Sequence, residues 1–570
     1  MSTADGIIET KAREASGEIE TETAAKLRQS ASIAEGSRHS SHDKQNHTAK
    51  LIPLPRSKRG TPDGVLVGPS EPSEEISITV MVKSKASDAE FDKTIKDIAD
   101  HKRNALSDTE FAAKFGANPN SLKHVLKFAA DNWLKTESID ASSGRLELKG
   151  SVKDLEKAFG TSLRDYQSDA GVLRERQGSL MVPRHLRTDI EGVFGLDERV
   201  QAHSHLRHPV NNGVFSPRSE FPGYLPTEVA RAYNFPTESM GAGQSVAILQ
   251  FGGGLDLADN AKFYEQHQLA KPDINIIEVS GAHNSPGSTD DDEVTMDSQI
   301  IGSIAPEAKQ HLIFSQDTEK GWIDAITRAT FPEKGEAQNS VISISWGDPE
   351  ERWTDEQRRA QGLAFKKAAL KGISVFAASG DDGAKDGAQD AKFTTDYPSS
   401  DPYVTGSGGT NLKTDITGAI KSEVTWNDND GAAGGGGISN NIRLPYYQIG
   451  MAMPPNANNT NRPGRGVPDI SADASPQTGY ITRTHGVEEI SGGTSAVSPL
   501  FAALTLRING ALGHNVGFLN PFIYKNGNSG IFHDITQGNN DGYNAGKGWD
   551  AATGWGSPDG QKLLDALRKQ

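Results

Sequence analysis

Five short apolar runs, at 246–251, 274–279, 311–315, 341–346 and 373–378, alternate with helical patterns at 256–269, 292–304, 321–331 and 354–371. Runs of this length, bounded by turn residues, read as strands buried on both faces. Strands separated by helices are joined by crossovers and lie parallel. This part of the chain is therefore constrained to an α/β, doubly wound, mostly parallel sheet. In such sheets the chemistry collects at the carboxyl ends of the strands.

The stretch 490–508, I-S-G-G-T-S-A-V-S-P-L-F-A-A-L-T-L-R-I, joins a glycine turn to an apolar helix. Gly492 and Gly493 permit a turn that side chains would obstruct. Ser495 falls in the first helical turn, where unpaired N–H groups and the positive end of the dipole favour developing negative charge. It reads as a nucleophile or as an ordinary helix cap.

Three further constellations stand out. In D-D-D-E-V-T-M-D at 290–297 the first acids suit a helix N-terminus. Glu293 and Asp297, four apart, share a face with Ile300 and Ile304. Two carboxylates on an apolar stripe are costly to bury ionised, and sharing a proton lessens that cost; a solvated acidic face is the other reading. In A-S-G-D-D-G at 378–383 a polar pair follows a buried strand. Asp381 there is placed to stabilise an oxyanion, which a carboxyl does only when protonated; a simple Asp-Asp-Gly turn is the alternative. Near the C-terminus, F-H-D-I-T at 532–536 and N-A-G-K-G-W-D at 544–550 offer carboxylates and glycine-exposed carbonyls. That is a hard oxygen set suited to calcium, or else a Gly-rich turn.

Ahead of the sheet lie three different segments. Residues 1–70 are rich in Ser, Ala, Glu and Lys and read as disordered. Residues 71–200 read as an α+β unit: a strand at 76–82, helices at 88–102, 108–115 and 119–134, a hairpin at 138–149, a helix at 152–159 and a strand at 161–166. That order suggests a ferredoxin-like split βαβ. Residues 201–222 form a linker in which His203, His205 and His208 read as solvated rather than as a metal cluster.

Composition excludes several classes. The formal charge of −16 argues against nucleic-acid binding. There is no cysteine, hence no disulfide, thiolate nucleophile or zinc-thiolate site. No apolar run is long enough to predict a membrane span. The first residues, M-S-T-A-D-G-I-I-E-T-K, lack the basic and apolar regions of a conventional secretory signal.

Together these residues resemble the sedolisins, the serine-carboxyl peptidases, and among them the kumamolisin-type members. The carrying motifs are S-G-G-T-S-A-V-S-P at 491–499, E-V-T-M-D at 293–297 and A-S-G-D at 378–381. V-I-S-I-S-W-G at 341–347, R-G-V-P-D at 465–469, F-H-D-I-T and G-K-G-W-D support them. The resemblance implies that Ser495 is the nucleophile, Glu293 its general base, Asp297 the orienting partner and Asp381 the oxyanion acid. It implies a calcium ion held by Asp534, Asp550 and the carbonyls of Ile535, Gly546 and Gly548. It assigns Ser345, Trp346, Gly347 and Asp396 to the substrate cleft. It also makes the α+β unit a propeptide, removed on activation, before a subtilisin-like catalytic domain at 223–570. Two positions depart from the family pattern: Gln250 stands where kumamolisin-type enzymes carry a glutamate, and Asp382 where a serine usually follows the oxyanion aspartate.

The expectation is an acid-acting endopeptidase made as a self-processing zymogen. Its partners would be protein and peptide substrates and its own propeptide; it would be a monomer, without nucleic acid or membrane. A glutamate base has an unperturbed pKa of about 4.3 and operates in acid. None of the histidines after residue 210 has the H-G-T context of a subtilisin base, which counts against a histidine-dependent protease. A silent, protein-binding relative is the alternative of another class. Action outside the cell is expected, with intracellular storage as the alternative.

Overall fold

The computed structural model describes residues 50–209, 223–388, 392–458 and 462–570. Residues 1–49 of the N-terminal segment lie outside them, as does the second half of the linker.

The segment expected to be disordered as far as residue 70 is folded from residue 50 onward. Leu51–Pro53 pairs with Met181–Pro183, and Val65–Pro69 with Arg164–Ser168, both antiparallel. These partners lie about a hundred residues away or more, which local composition cannot reveal. The α+β unit has the ferredoxin-like order, but its fourth strand is Ile190–Phe194 and not the one expected at 161–166: Arg164–Ser168 lies in a separate sheet between Val65–Pro69 and Gly171–Glu175. Glu75–Val82 lies between Ile190–Phe194 and Arg145–Ser151, and Lys135–Asp140 completes an antiparallel four-stranded sheet. Helices Pro119–Asp131 and Val152–Phe159 cover it through Leu122, Val125, Phe128, Leu155 and Phe159.

The larger sheet runs, from one edge, Asp273–Glu278, Lys309–Phe314, Ser245–Gln250, Val341–Ile344, Ser374–Ala378, Thr405–Thr414 and Ile470–Asp473, all parallel. Ile420–Thr425 adds an antiparallel hairpin to the long strand. One face is covered by helices Asp291–Ile304 and Thr494–Leu512, the other by Glu319–Thr330 and Asp355–Leu370. The Thr494–Leu512 helix is long and apolar enough to cross a membrane, yet it is buried within this core, which accounts for its composition.

The two units are docked through mixed contacts. Phe91, Phe111 and Phe115 of the smaller unit pack with Leu363, Leu370 and Phe518 of the larger. Arg145 Nε donates to Asp324 Oδ1 at 2.6 Å, and Thr79 Oγ1 adds a bond to the same carboxylate at 3.0 Å. Asp324 is fully buried, yet Lys320 and Arg145 outweigh that burial and hold it down at about 2.

Candidate active site

Gly493 caps the Thr494–Leu512 helix with φ +96°, a conformation open to glycine and strained for other residues. A Cβ there would run into the His205 carbonyl and Asp381 Oδ2, so this glycine also makes room for two polar atoms. Ser495 is therefore the second helical residue and not the cap. Its Oγ lies 2.6 Å from Glu293 Oε2 and 3.0 Å from the Ser345 carbonyl. A hydroxyl has one proton, so it satisfies one of these acceptors at a time unless Glu293 itself carries a proton.

Glu293 and Asp297 leave the Asp291–Ile304 helix on its inner face and are buried, which excludes the solvated acidic face. Asp291 does structural work instead, accepting from the Gly254 N–H at 2.8 Å and from Gly287. Burial, then the charge of Asp297, pushes Glu293 well above the usual carboxylate range, against the Ser495 hydrogen bond. Burial pushes Asp297 up to about 7, opposed by hydrogen bonds from Ser345 Oγ at 2.7 Å and Gln250 Nε2 at 2.7 Å. Such a pair holds at least one proton at neutral pH and below.

Asp381 follows the Ser374–Ala378 strand, at its carboxyl end. Its Oδ1 accepts from the Thr494 N–H and hydroxyl, both at 2.8 Å, while Oδ2 is buried without a hydrogen bond among the described residues. Burial pushes this carboxyl up to about 6, against His205 and Arg207, whose charges pull it down. Thr494 carries no distinguishing sequence signal beyond its place before Ser495, and its role was missed.

Of the described part of the linker, residues 201–209, His203 is exposed as expected, but the chain around it is docked and His205 is not solvated. His203–Ser204 pairs antiparallel with Trp346 and Gly347, the His205 N–H donates to the Ser345 carbonyl at 3.1 Å, and Arg207 exchanges backbone bonds with Gly492. His205 is buried, with Nε2 2.9 Å from Asp396 Oδ2. Burial pushes the imidazole down and the Asp396 carboxyl well up, so the two share a hydrogen bond around one proton. Asp386, also buried and pushed well up by burial and then by Asp396, stands behind; sequence reasoning missed it. Of the residues assigned to the cleft, Ser345 and Gly347 form its edge and Asp396 its floor. The Trp346 backbone belongs to that edge, but its indole turns inward and donates to Gln250 Oε1 at 3.0 Å.

Near the C-terminus, Gly548 N–H donates to both oxygens of Asp534 and Gly546 N–H to Asp550 Oδ2, at 3.0 to 3.1 Å. The loop thus bridges the two carboxylates. Among the described residues no hydrogen bond reaches the carbonyls of Ile535, Gly546 or Gly548. Two carboxylates and three unused carbonyls in one loop cluster fit a hard divalent cation.

Comparison with known proteins identifies the family. Residues 62–199 match the family described as Pro-kumamolisin, activation domain. Kumamolisin of Bacillus sp. (strain MN-32) is 39% identical over 527 residues, 90% of this chain and 95% of its own. Sedolisin of Pseudomonas sp. (strain 101) is 29% identical over 81% of each chain. The solved structure of Pseudomonas sedolisin, a serine-carboxyl proteinase in complex with pseudo-iodotyrostatin, superposes with a TM-score of 0.55 at 30% identity, covering 61% of this chain and 98% of that one. The chain belongs to the sedolisin family of serine-carboxyl peptidases, a peptide hydrolase whose subtilisin-like catalytic domain is preceded by a pro-kumamolisin activation domain.

Proposed function

We propose that the protein is an acid-acting endopeptidase, made as a zymogen that processes itself, with Ser495 as nucleophile and Glu293 as its base. The observation that carries this reading is the 2.6 Å contact between Ser495 Oγ and Glu293 Oε2, with Asp297 buried on the same helix face. As Ser495 Oγ attacks a peptide carbonyl, Glu293 takes its proton, and Asp297, fixed by Ser345 and Gln250, orients and polarises Glu293. The Ser495 N–H and a protonated Asp381 hold the oxyanion. Glu293 then protonates the leaving amine, and water releases the acyl group by the reverse path.

Asp534, Asp550 and the carbonyls of Ile535, Gly546 and Gly548 would hold a calcium ion, which when bound supplies positive charge that clamps these loops. The protein would act outside the cell, an assignment supported only by the zymogen organisation; its presence in culture medium would test it. Replacing Glu293 by Gln tests the central claim. The variant should lose about 10³-fold or more in kcat/KM while Thr494 still holds Asp381. Near-normal turnover by that variant would exclude Glu293 as the base and favour a histidine-dependent protease. A refolded, calcium-loaded enzyme silent on every peptide would favour the protein-binding relative.

A further inference from the structure

The linker is held in the manner of a substrate, and its register singles out one bond. The His205 N–H donates to the Ser345 carbonyl at 3.1 Å, and the His205 carbonyl accepts the Ser495 N–H at 3.1 Å. That carbonyl and Asp381 Oδ2 crowd the same open face of Gly493. A carbonyl bound by the nucleophile's own N–H, beside the oxyanion acid, is the one that the nucleophile attacks. On the far side, Arg207 forms a two-bond antiparallel bridge with Gly492, at 3.1 and 2.8 Å, so the chain is fixed on both flanks of the bond.

The side chains beyond the bond have partners too. Arg207 Nη2 donates to Asp382 Oδ2 at 2.8 Å, and Arg207 Nε lies 3.5 Å from Asp381 Oδ2. His208 follows, with Nε2 3.3 Å from Asp292 Oδ2 and Nδ1 3.9 Å from Glu489. The leaving side of the cleft is therefore acidic, and the linker meets it with cations.

We propose that His205–Leu206 is the first bond this enzyme cuts in its own chain, and that Asp382 makes the subsite two residues beyond the cut select a cationic side chain, with Arg207 as its built-in occupant. This rests on the reading of Ser495 as nucleophile. Ser495 Oγ adds to the His205 carbonyl carbon as Glu293 takes its proton. The His205–Leu206 C–N bond then breaks, with that proton passing to the Leu206 nitrogen. Water hydrolyses the ester, leaving a new carboxylate on His205 and a new amine on Leu206.

The test uses the full-length zymogen shifted from neutral pH to about pH 4, with intact mass and N-terminal sequence followed over time. Wild type should first yield a fragment ending at His205 and one beginning at Leu206, while Ser495→Ala stays whole. A first cut elsewhere, with Ser495→Ala still whole, overturns the bond assignment and leaves the nucleophile standing. Cutting of Ser495→Ala at the wild-type rate removes the reading of Ser495 itself, and an uncut wild type counts against both. For the subsite, mature enzyme is given a peptide pair differing only by Arg or Glu two residues past the cut. The kcat/KM ratio should favour Arg by about tenfold, collapse in Asp382→Ser and invert in Asp382→Lys. Each ratio is taken within one variant, so a general loss of activity cancels. A ratio indifferent to residue 382 refutes its selecting role.

Discussion

The indole N–H of Trp346 donates to Gln250 Oε1 at 3.0 Å, and the Gln250 amide donates onward to Asp297 Oδ2 at 2.7 Å. Indole has no acceptor, so Trp346 decides which way the amide faces. Asp297 Oδ2 is thereby fixed as an acceptor from a neutral donor. At the other oxygen Ser345 Oγ donates at 2.7 Å. Both oxygens of Asp297 therefore accept from neutral donors, and Glu293 Oε2 is left facing Ser495 Oγ at 2.6 Å.

Changing Gln250 to Glu should move the acid limb of the kcat/KM profile. A second carboxyl beside Asp297 disfavours ionisation of the whole group, so Glu293 becomes an effective base only at higher pH. The limb is expected to rise by about one pH unit, with kcat at the new optimum little changed. A pH–rate profile of the processed variant measures this. An unmoved limb would mean that the outer link is not coupled to the base.

Asp381 should set the alkaline limb. Its carboxyl is pushed up to about 6 and donates to an oxyanion only when protonated. The donor is therefore present below that value and is lost as pH rises through it, which keeps the zymogen quiet at neutral pH. Asp381→Ala should lose about 10²–10³ in kcat. Asp381→Asn retains an N–H donor at every pH, so its alkaline limb should flatten. The two profiles, recorded side by side on one peptide, separate the missing donor from a misfolded loop.

Much of this was legible in sequence because the signals are local. The Val341–Ile344 and Ser374–Ala378 strands, the Glu293–Asp297 spacing and the glycines before Ser495 each reveal themselves within a few residues. What escaped depends on partners far along the chain. The Leu51–Pro53 strand exists because Met181–Pro183 lies beside it. His205 looks like a polar linker residue until Asp396, nearly two hundred positions on, is seen to receive it. Asp382 reads as half of a turn, and its pairing with Arg207 is a property of the docked linker. Asp386 gave no signal of its own, because its burial behind Asp396 is a property of the fold.

Gly493→Ala should uncouple folding from activity. The new methyl would meet the carbonyl of whichever substrate occupies the place of His205, and Asp381 Oδ2 beside it, at a φ of +96°. The backbone conformation costs about 1–2 kcal/mol, a sizeable share of net stability, and in the zymogen the His205 carbonyl must also move away. The zymogen should still fold, with a Tm lowered by a few °C, yet fail to process itself. Circular dichroism melting and intact mass after acid shift check the two halves. Normal processing would show that the carbonyl does not enter beside Gly493.

Removing calcium should weaken the fold before it touches the chemistry. Asp534 and Asp550 lie in loops, bridged by the N–H groups of Gly548 and Gly546, and three carbonyls in the cluster accept no hydrogen bond from the described residues. An ion bound only by the folded state stabilises it in proportion to the logarithm of its excess, about 2.7 kcal/mol at a hundredfold excess over Kd. For a catalytic domain of this size that corresponds to a fall in Tm of about 5 °C on chelation. Asp534→Ala should show the lower Tm at once and no further change with chelator. Its kcat at moderate temperature should stay near normal, because none of the hydrogen bonds that Ser495 and Glu293 make among the described residues comes from these loops. If chelation leaves wild-type Tm unmoved, the loop cluster holds itself together by its own hydrogen bonds, and the cation assignment falls.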